Sequence, residues 1–138
     1  LGGATISLIP SILITRIAEL FPSLAPDELQ IVSDFFGNGV GLWQWLAMSI
    51  IVFVMPVIEE VIFRGWLWRL CKWRLNSYWT WVITSLVFAA VPAEPLHILG
   101  LLPLSFFLGW LRKETDDIGY STVAHVTNNA VACLLMII

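Results

Sequence analysis

The chain has 138 residues, of which 59% are hydrophobic and 12% charged, and a net charge of −3. A soluble domain carries about 25% charged residues and needs a polar shell that this composition does not supply. The balance excludes a nucleic-acid binder, which needs a basic stripe, and points to one domain, residues 1–138, in contact with membrane lipid.

The first apolar run is expected over residues 4–21, with Arg16 and Glu19 inside it. Pro26, Asp27 and Glu28 then suit the start of a short interfacial helix. Leu29, Val32 and Phe36 share one of its faces, and Gly37 to Gly39 stop it. Residues 42–74 form the second run. At 1.5 Å per residue it is roughly 50 Å long, against a hydrocarbon core of roughly 30 Å. A kink or break near Pro56 is therefore expected. Further runs cover residues 78–91, 96–111 and 118–138. Five apolar runs read as an all-α, polytopic membrane helix bundle. The start at Leu1, without Met or a cleavable signal, reads as a fragment of a larger bundle. The eight Trp residues mostly flank the runs, where interfacial belts form. Cys71 and Cys133 have no C-x-x-C partner and are expected to pack as small apolar side chains.

Loop charge sets the orientation. Arg69, Lys72 and Arg74 follow the second run, and Arg112 and Lys113 follow the fourth. The connections 22–41 and 92–95 hold no Lys or Arg. Both basic turns are therefore expected on the cytoplasmic side of a multi-pass protein of the bacterial cytoplasmic membrane.

Glu59 and Glu60 end an uncharged stretch that begins at Leu42. A carboxylate at membrane depth is disfavoured by roughly 2.5–3.5 kcal/mol and is usually functional. Glu60 and Arg64 stand at i,i+4 and can neutralise each other. Glu59 lies about 100° around the helix, outside that pairing. A desolvated carboxylate without a cationic partner suits a general base. The plainer reading makes the pair a helix end at the membrane surface.

Depth follows from helical rise. Glu60 lies roughly 21 Å from the turn after Arg74, Pro92 roughly 21 Å from Tyr78, and His97 roughly 22 Å from Arg112. The carboxylates and the 92–97 turn are thus expected at one level. In the last run, His125 and Asn129 share a helical face. They are either donors to an oxyanion or polar glue between helices.

Glu59-Glu60-x-x-x-Arg64 with Gly65, and His125-x-x-x-Asn129 later in the chain, resemble the first and last motifs of the CPBP family. These are the CAAX-protease and bacteriocin-processing intramembrane endopeptidases, including the Ras-converting CAAX prenyl protease. The resemblance covers about residues 42–138. It implies an all-helical membrane bundle and hydrolysis of a peptide bond in a membrane-associated protein or peptide. It further implies that Glu59 activates water, that Glu60 pairs with Arg64, and that His125 and Asn129 stabilise the oxyanion. The pairing of Glu60 with Arg64 follows independently from their spacing.

The middle motif departs. The family pattern is Phe-x-x-x-His, and here Phe88 is followed by Pro92 at the histidine position. His97 supplies the missing imidazole, or the site is impaired, or an unrelated residue compensates. Glu94, in the same turn, is a further candidate carboxylate. The candidate catalytic set is Glu59, Glu60, Arg64, His97, His125 and Asn129. An impaired relative that binds peptides or membrane proteins, as an immunity partner does, is the first alternative. A transporter or proton relay is the second. No cofactor is expected, although Glu59, Glu60, His97 and His125 have donor chemistry that suits zinc.

Lys72 and Arg112 are expected to face the cytoplasm. In a chain freed of its native cysteines, Lys72→Cys and Arg112→Cys should react with an impermeant maleimide only after the membrane is opened. Labelling of both in sealed cells reverses the topology.

Overall fold

The computed structural model describes residues 41–93 and 95–137. The expected run 4–21, the interfacial helix after Pro26, and Glu94 lie outside the described residues. Four helices follow in order, with no strand among the described residues. They are α1 (Leu42–Arg74), α2 (Ser77–Ala90), α3 (Pro95–Thr115) and α4 (Ile118–Ile137). The all-α fold is as the periodicity predicts. Each helix matches an expected run to within four residues at either end.

Local chemistry sets the helix ends. Asn76 caps α2, its Oδ1 accepting from Trp79 N–H at 3.0 Å. Pro95 opens α3, where its missing N–H is harmless. Asp116 ends it in a left-handed conformation, φ 53°, which Asp tolerates better than most residues. Asp117 Oδ1 accepts from Gly119 N–H at 2.8 Å, starting α4. The linkers 75–76, 91–94 and 116–117 are short, so successive helices run antiparallel.

The kink or break expected near Pro56 does not interrupt the helix. α1 runs through as one helix of 33 residues. It accommodates the proline by widening. Ile50–Val54 is π-helical, α-helix returns over Met55–Glu60 with Pro56 in its first turn, and Val61–Leu67 is π-helical again. In the wide register Met55 N–H bonds Ile50 O, five residues back. The next bond of that register would join Ile51 O to Pro56, which has no N–H. Asn129 of α4 fills the position, its Nδ2 donating to Ile51 O at 3.2 Å.

The bundle is apolar outside and polar inside. Ile50, Phe53, Val57, Ile58, Val61 and Ile62 of α1 are exposed, whereas Glu60, Arg64, Thr80, Thr84, Ser85, Ser105, Ser121 and His125 are buried. Lipid suits such a surface and water does not. α1 is the described helix long and apolar enough by length and composition to cross a membrane. Six Trp residues are exposed, as a belt requires, but Trp68 is buried and Trp81 is half-buried. Trp81 Nε1 donates to Phe106 O at 2.9 Å, which satisfies the half-buried indole.

α2 and α3 pack closely through small residues. Ser105 Oγ donates to Ser85 O at 2.7 Å, and Ser85 Oγ donates to Ser105 O at 3.2 Å. A Cβ at Gly109 would stand 2.5 Å from Ser85 Oγ and 2.8 Å from Trp81 Cδ1. Gly109→Ala should therefore push the helices apart and lower stability by about 1–3 kcal/mol. Thermal melting in detergent measures this. An unchanged melting temperature would mean that the approach is not close.

Candidate functional site

Glu59 and Glu60 lie at the end of the short α-helical stretch between the two π-helical stretches of α1. π-Segments in helices often mark functional positions, because they re-aim side chains within a continuous helix. Adjacent residues differ by about 100° in direction, so the two carboxylates cannot share an environment. Glu60 points into the bundle and is fully buried. Glu59 points along its edge and keeps 35% of its side chain exposed.

Arg64 holds Glu60. Its Nη1 lies 3.1 Å from Glu60 Oε1, an ion pair without the alignment of a hydrogen bond. Nη2 donates to Ser105 O at 3.0 Å and to Ser105 Oγ at 3.2 Å, both from α3. The guanidinium carbon lies 4.2 Å from the centroid of Phe88 of α2, close enough for a cation–π contact. From the C-terminal end of α3, Arg112 Nε donates to the Arg64 carbonyl at 3.1 Å. Arg112 also pairs with Asp116 at 2.7 Å. That hydrogen bond and charge, with Lys72 nearby, hold the exposed Asp116 carboxyl below the usual carboxylate range.

His125 of α4 joins the two carboxylates. Its Nδ1 lies 3.2 Å from Glu60 Oε1 and its Nε2 lies 3.6 Å from Glu59 Oε2. The ring packs edge-on against Phe88, centroids 5.7 Å apart. All four described helices therefore contribute to one cluster.

Beside it is a cavity of about 280 Å³. Glu59, His125, Asn128 and Asn129 give it polar groups, and Phe63, Phe88, Leu101 and Leu104 give it apolar walls. Val91 and Pro92 close one side, so the turn after α2 does reach the level of Glu59. Ala93 follows in a left-handed conformation, φ 61°, a strained state for a residue with a Cβ. The volume admits a short stretch of peptide rather than a folded partner.

The candidate residues thus divide. Glu59, Glu60, Arg64, His125 and Asn129 come together, with Glu60 and Arg64 behind the cavity rather than on it. His97 is not among the cavity's lining residues. Leu101, one turn further along α3, occupies that wall, and Pro92 stands where the family pattern has histidine. Equal helical rise fixed depth for His97 but not direction. Ser105 and Arg112 were not singled out from the sequence. The signal for Ser105 was its spacing from Gly109, a small-x-x-x-small pair in an apolar run. Arg112 read only as an orienting charge. Glu60 Oε1 is shared by Arg64 and His125, and no group of three or more metal-type ligands assembles among the described residues.

Residues 41–131 match the family described as type II CAAX prenyl endopeptidase Rce1-like, and the chain belongs to that family. Among curated proteins it is similar to one from Bacillus subtilis (strain 168) named "Putative membrane peptidase YdiL". Identity is 27% over 84 residues, which is 61% of this chain and 34% of the relative. The chain thus spans about a third of that relative's length. No solved structure matches it.

Removing one member of a buried ion pair strands the other. Arg64→Ala should destabilise the bundle by about 3–5 kcal/mol, read as a lower melting temperature in detergent. Melting like the wild type would show that water reaches Glu60.

Proposed function

We propose that this chain carries the catalytic centre of a multi-pass endopeptidase of the bacterial cytoplasmic membrane. Its substrate is a membrane-associated protein or peptide, of the prenylated CAAX kind that the family description names. One observation carries the reading. Of two adjacent carboxylates, Glu60 is locked to Arg64, and Glu59 borders a cavity of about 280 Å³.

In this reading a water sits between Glu59 and the scissile carbonyl. Glu59 takes a proton from it as the water oxygen bonds to the carbonyl carbon. The amide groups of Asn128 and Asn129 border the same cavity and suit the oxyanion that forms. One N–H of Asn129 is held by Ile51 O, which fixes the amide and aims the other. The proton reaches the leaving nitrogen as the C–N bond breaks. Glu60 and Arg64 do not touch substrate. They hold His125 and the wall behind it.

A second reading rests on Pro92. The family pattern has a histidine there, and its absence favours a relative that binds peptide without cutting it. A quenched fluorescent peptide ending in a prenylated CAAX sequence separates the two. Wild-type protein should cleave it, and Glu59→Gln should lower the rate by about 10²–10⁴-fold. Binding of the peptide without cleavage by either form would establish the second reading. Cleavage should also survive a chelator, because no group of three or more metal-type ligands assembles among the described residues. Loss of activity in chelator, restored by zinc, would assign a metal role instead.

A further inference from the structure

We infer that His125, oriented by Glu60, is the proton-transferring imidazole of this site and takes over from the histidine absent at position 92. This rests on the peptidase reading, and departs from the family pattern, which assigns His125 to the oxyanion.

The tautomer decides the role. Glu60 is ion-paired with Arg64 and is therefore an acceptor only. Its Oε1 lies 3.2 Å from His125 Nδ1, so Nδ1 carries the hydrogen. In neutral imidazole the other nitrogen, Nε2, is then a bare acceptor. It faces Glu59 Oε2 at 3.6 Å, and His125 borders the cavity. A bare nitrogen cannot donate to an oxyanion, but it can take a proton. Glu60 stands to His125 as the third group of a catalytic triad stands to its base. Phe88 fixes the ring plane edge-on. Pro92 lines the same cavity, so the position that lacks its imidazole and the imidazole that replaces it border one space.

The steps balance. Glu59 takes a proton from water while the oxygen bonds to the peptide carbon. Nε2 receives that proton from Glu59, giving an imidazolium between two carboxylates. As the oxyanion reforms the carbonyl and the C–N bond breaks, Nε2 gives the proton to the leaving nitrogen. One carboxylic acid and one amine leave, and both side chains return to their starting states.

The alternative has the opposite pH sign. With Nδ1–H committed to Glu60, Nε2 donates only as the imidazolium, so an oxyanion role needs His125 protonated. Among the described residues, the charged groups set against His125 are Glu59 and Glu60, with Arg64 paired to Glu60, all from α1. α2 faces it with Phe88, and α3 places Leu101 and Leu104 in the cavity wall, with His97 one turn beyond.

The test is the pH profile of cleavage of the prenylated CAAX peptide by wild type and His125→Gln. Gln keeps a donor but cannot carry the proton. The wild-type rate should fall as pH is lowered, on a limb set by proton uptake at Nε2. His125→Gln should lose that limb and about 10²–10⁴-fold in rate. Pro92→His in the His125→Gln background should recover part of the rate. A wild-type rate that rises as pH is lowered, or a His125→Gln rate within a few-fold of wild type, overturns the inference. Imidazole ¹⁵N spectra of His97→Gln, which leaves a single histidine, read the tautomer without any substrate. Hydrogen on Nδ1 and none on Nε2 near neutral pH is expected, and the reverse overturns the assignment. If wild-type protein cleaves nothing, the peptidase reading fails, and the spectrum still judges the tautomer.

Discussion

The buried pair of Glu60 and Arg64 is the constraint on which the rest of the structure depends. Two charges taken out of water are unfavourable by several kcal/mol each, and mutual attraction offsets this only with good geometry and further hydrogen bonds. The bundle supplies part of this, although Glu60 Oε2 and Arg64 Nε are buried without a hydrogen-bond partner among the described residues. α2 places the face of Phe88 against the guanidinium, α3 gives the Ser105 carbonyl and hydroxyl, and α4 gives the His125 imidazole. Arg112 then ties the Arg64 backbone to the C-terminal end of α3. The small residues between α2 and α3 belong to the same solution, because Ser105 can reach both Ser85 and Arg64 only where the helices approach closely.

A second constraint comes from Pro56. A proline inside a membrane helix leaves a carbonyl without its donor, and lipid offers no replacement. The chain answers with a π-helical stretch and with the amide of Asn129. The same amide borders the cavity. Repair of the helix and construction of the site are thus one event, and α4 is fixed to α1 at the level where the carboxylates stand. The second π-helical stretch holds Arg64 itself, so both irregularities of α1 serve this cluster.

Much of this was legible in the sequence. Apolar runs located the helices because each is long and uniform. The i,i+4 spacing of Glu60 and Arg64 named the ion pair, since local geometry fixes it whatever the tertiary structure does. Directions across helices were not legible. Rise along an axis put His97 and Pro92 at one level with Glu59, but only packing decides which of them faces the cavity. Pro56 read as a kink or break because the π-register depends on a donor from another helix, Asn129. The link from His125 to Glu60 spans 65 positions and leaves no local pattern.

The central claim is that two adjacent carboxylates have been separated in function, Glu60 for structure and Glu59 for chemistry. Parallel melting of Glu60→Gln and Glu59→Gln in detergent tests it most directly. The account predicts that Glu60→Gln melts well below wild type, because Arg64 is left as a buried unpaired charge, and that Glu59→Gln melts with wild type. Equal melting of the two variants, or a loss confined to Glu59→Gln, would contradict it.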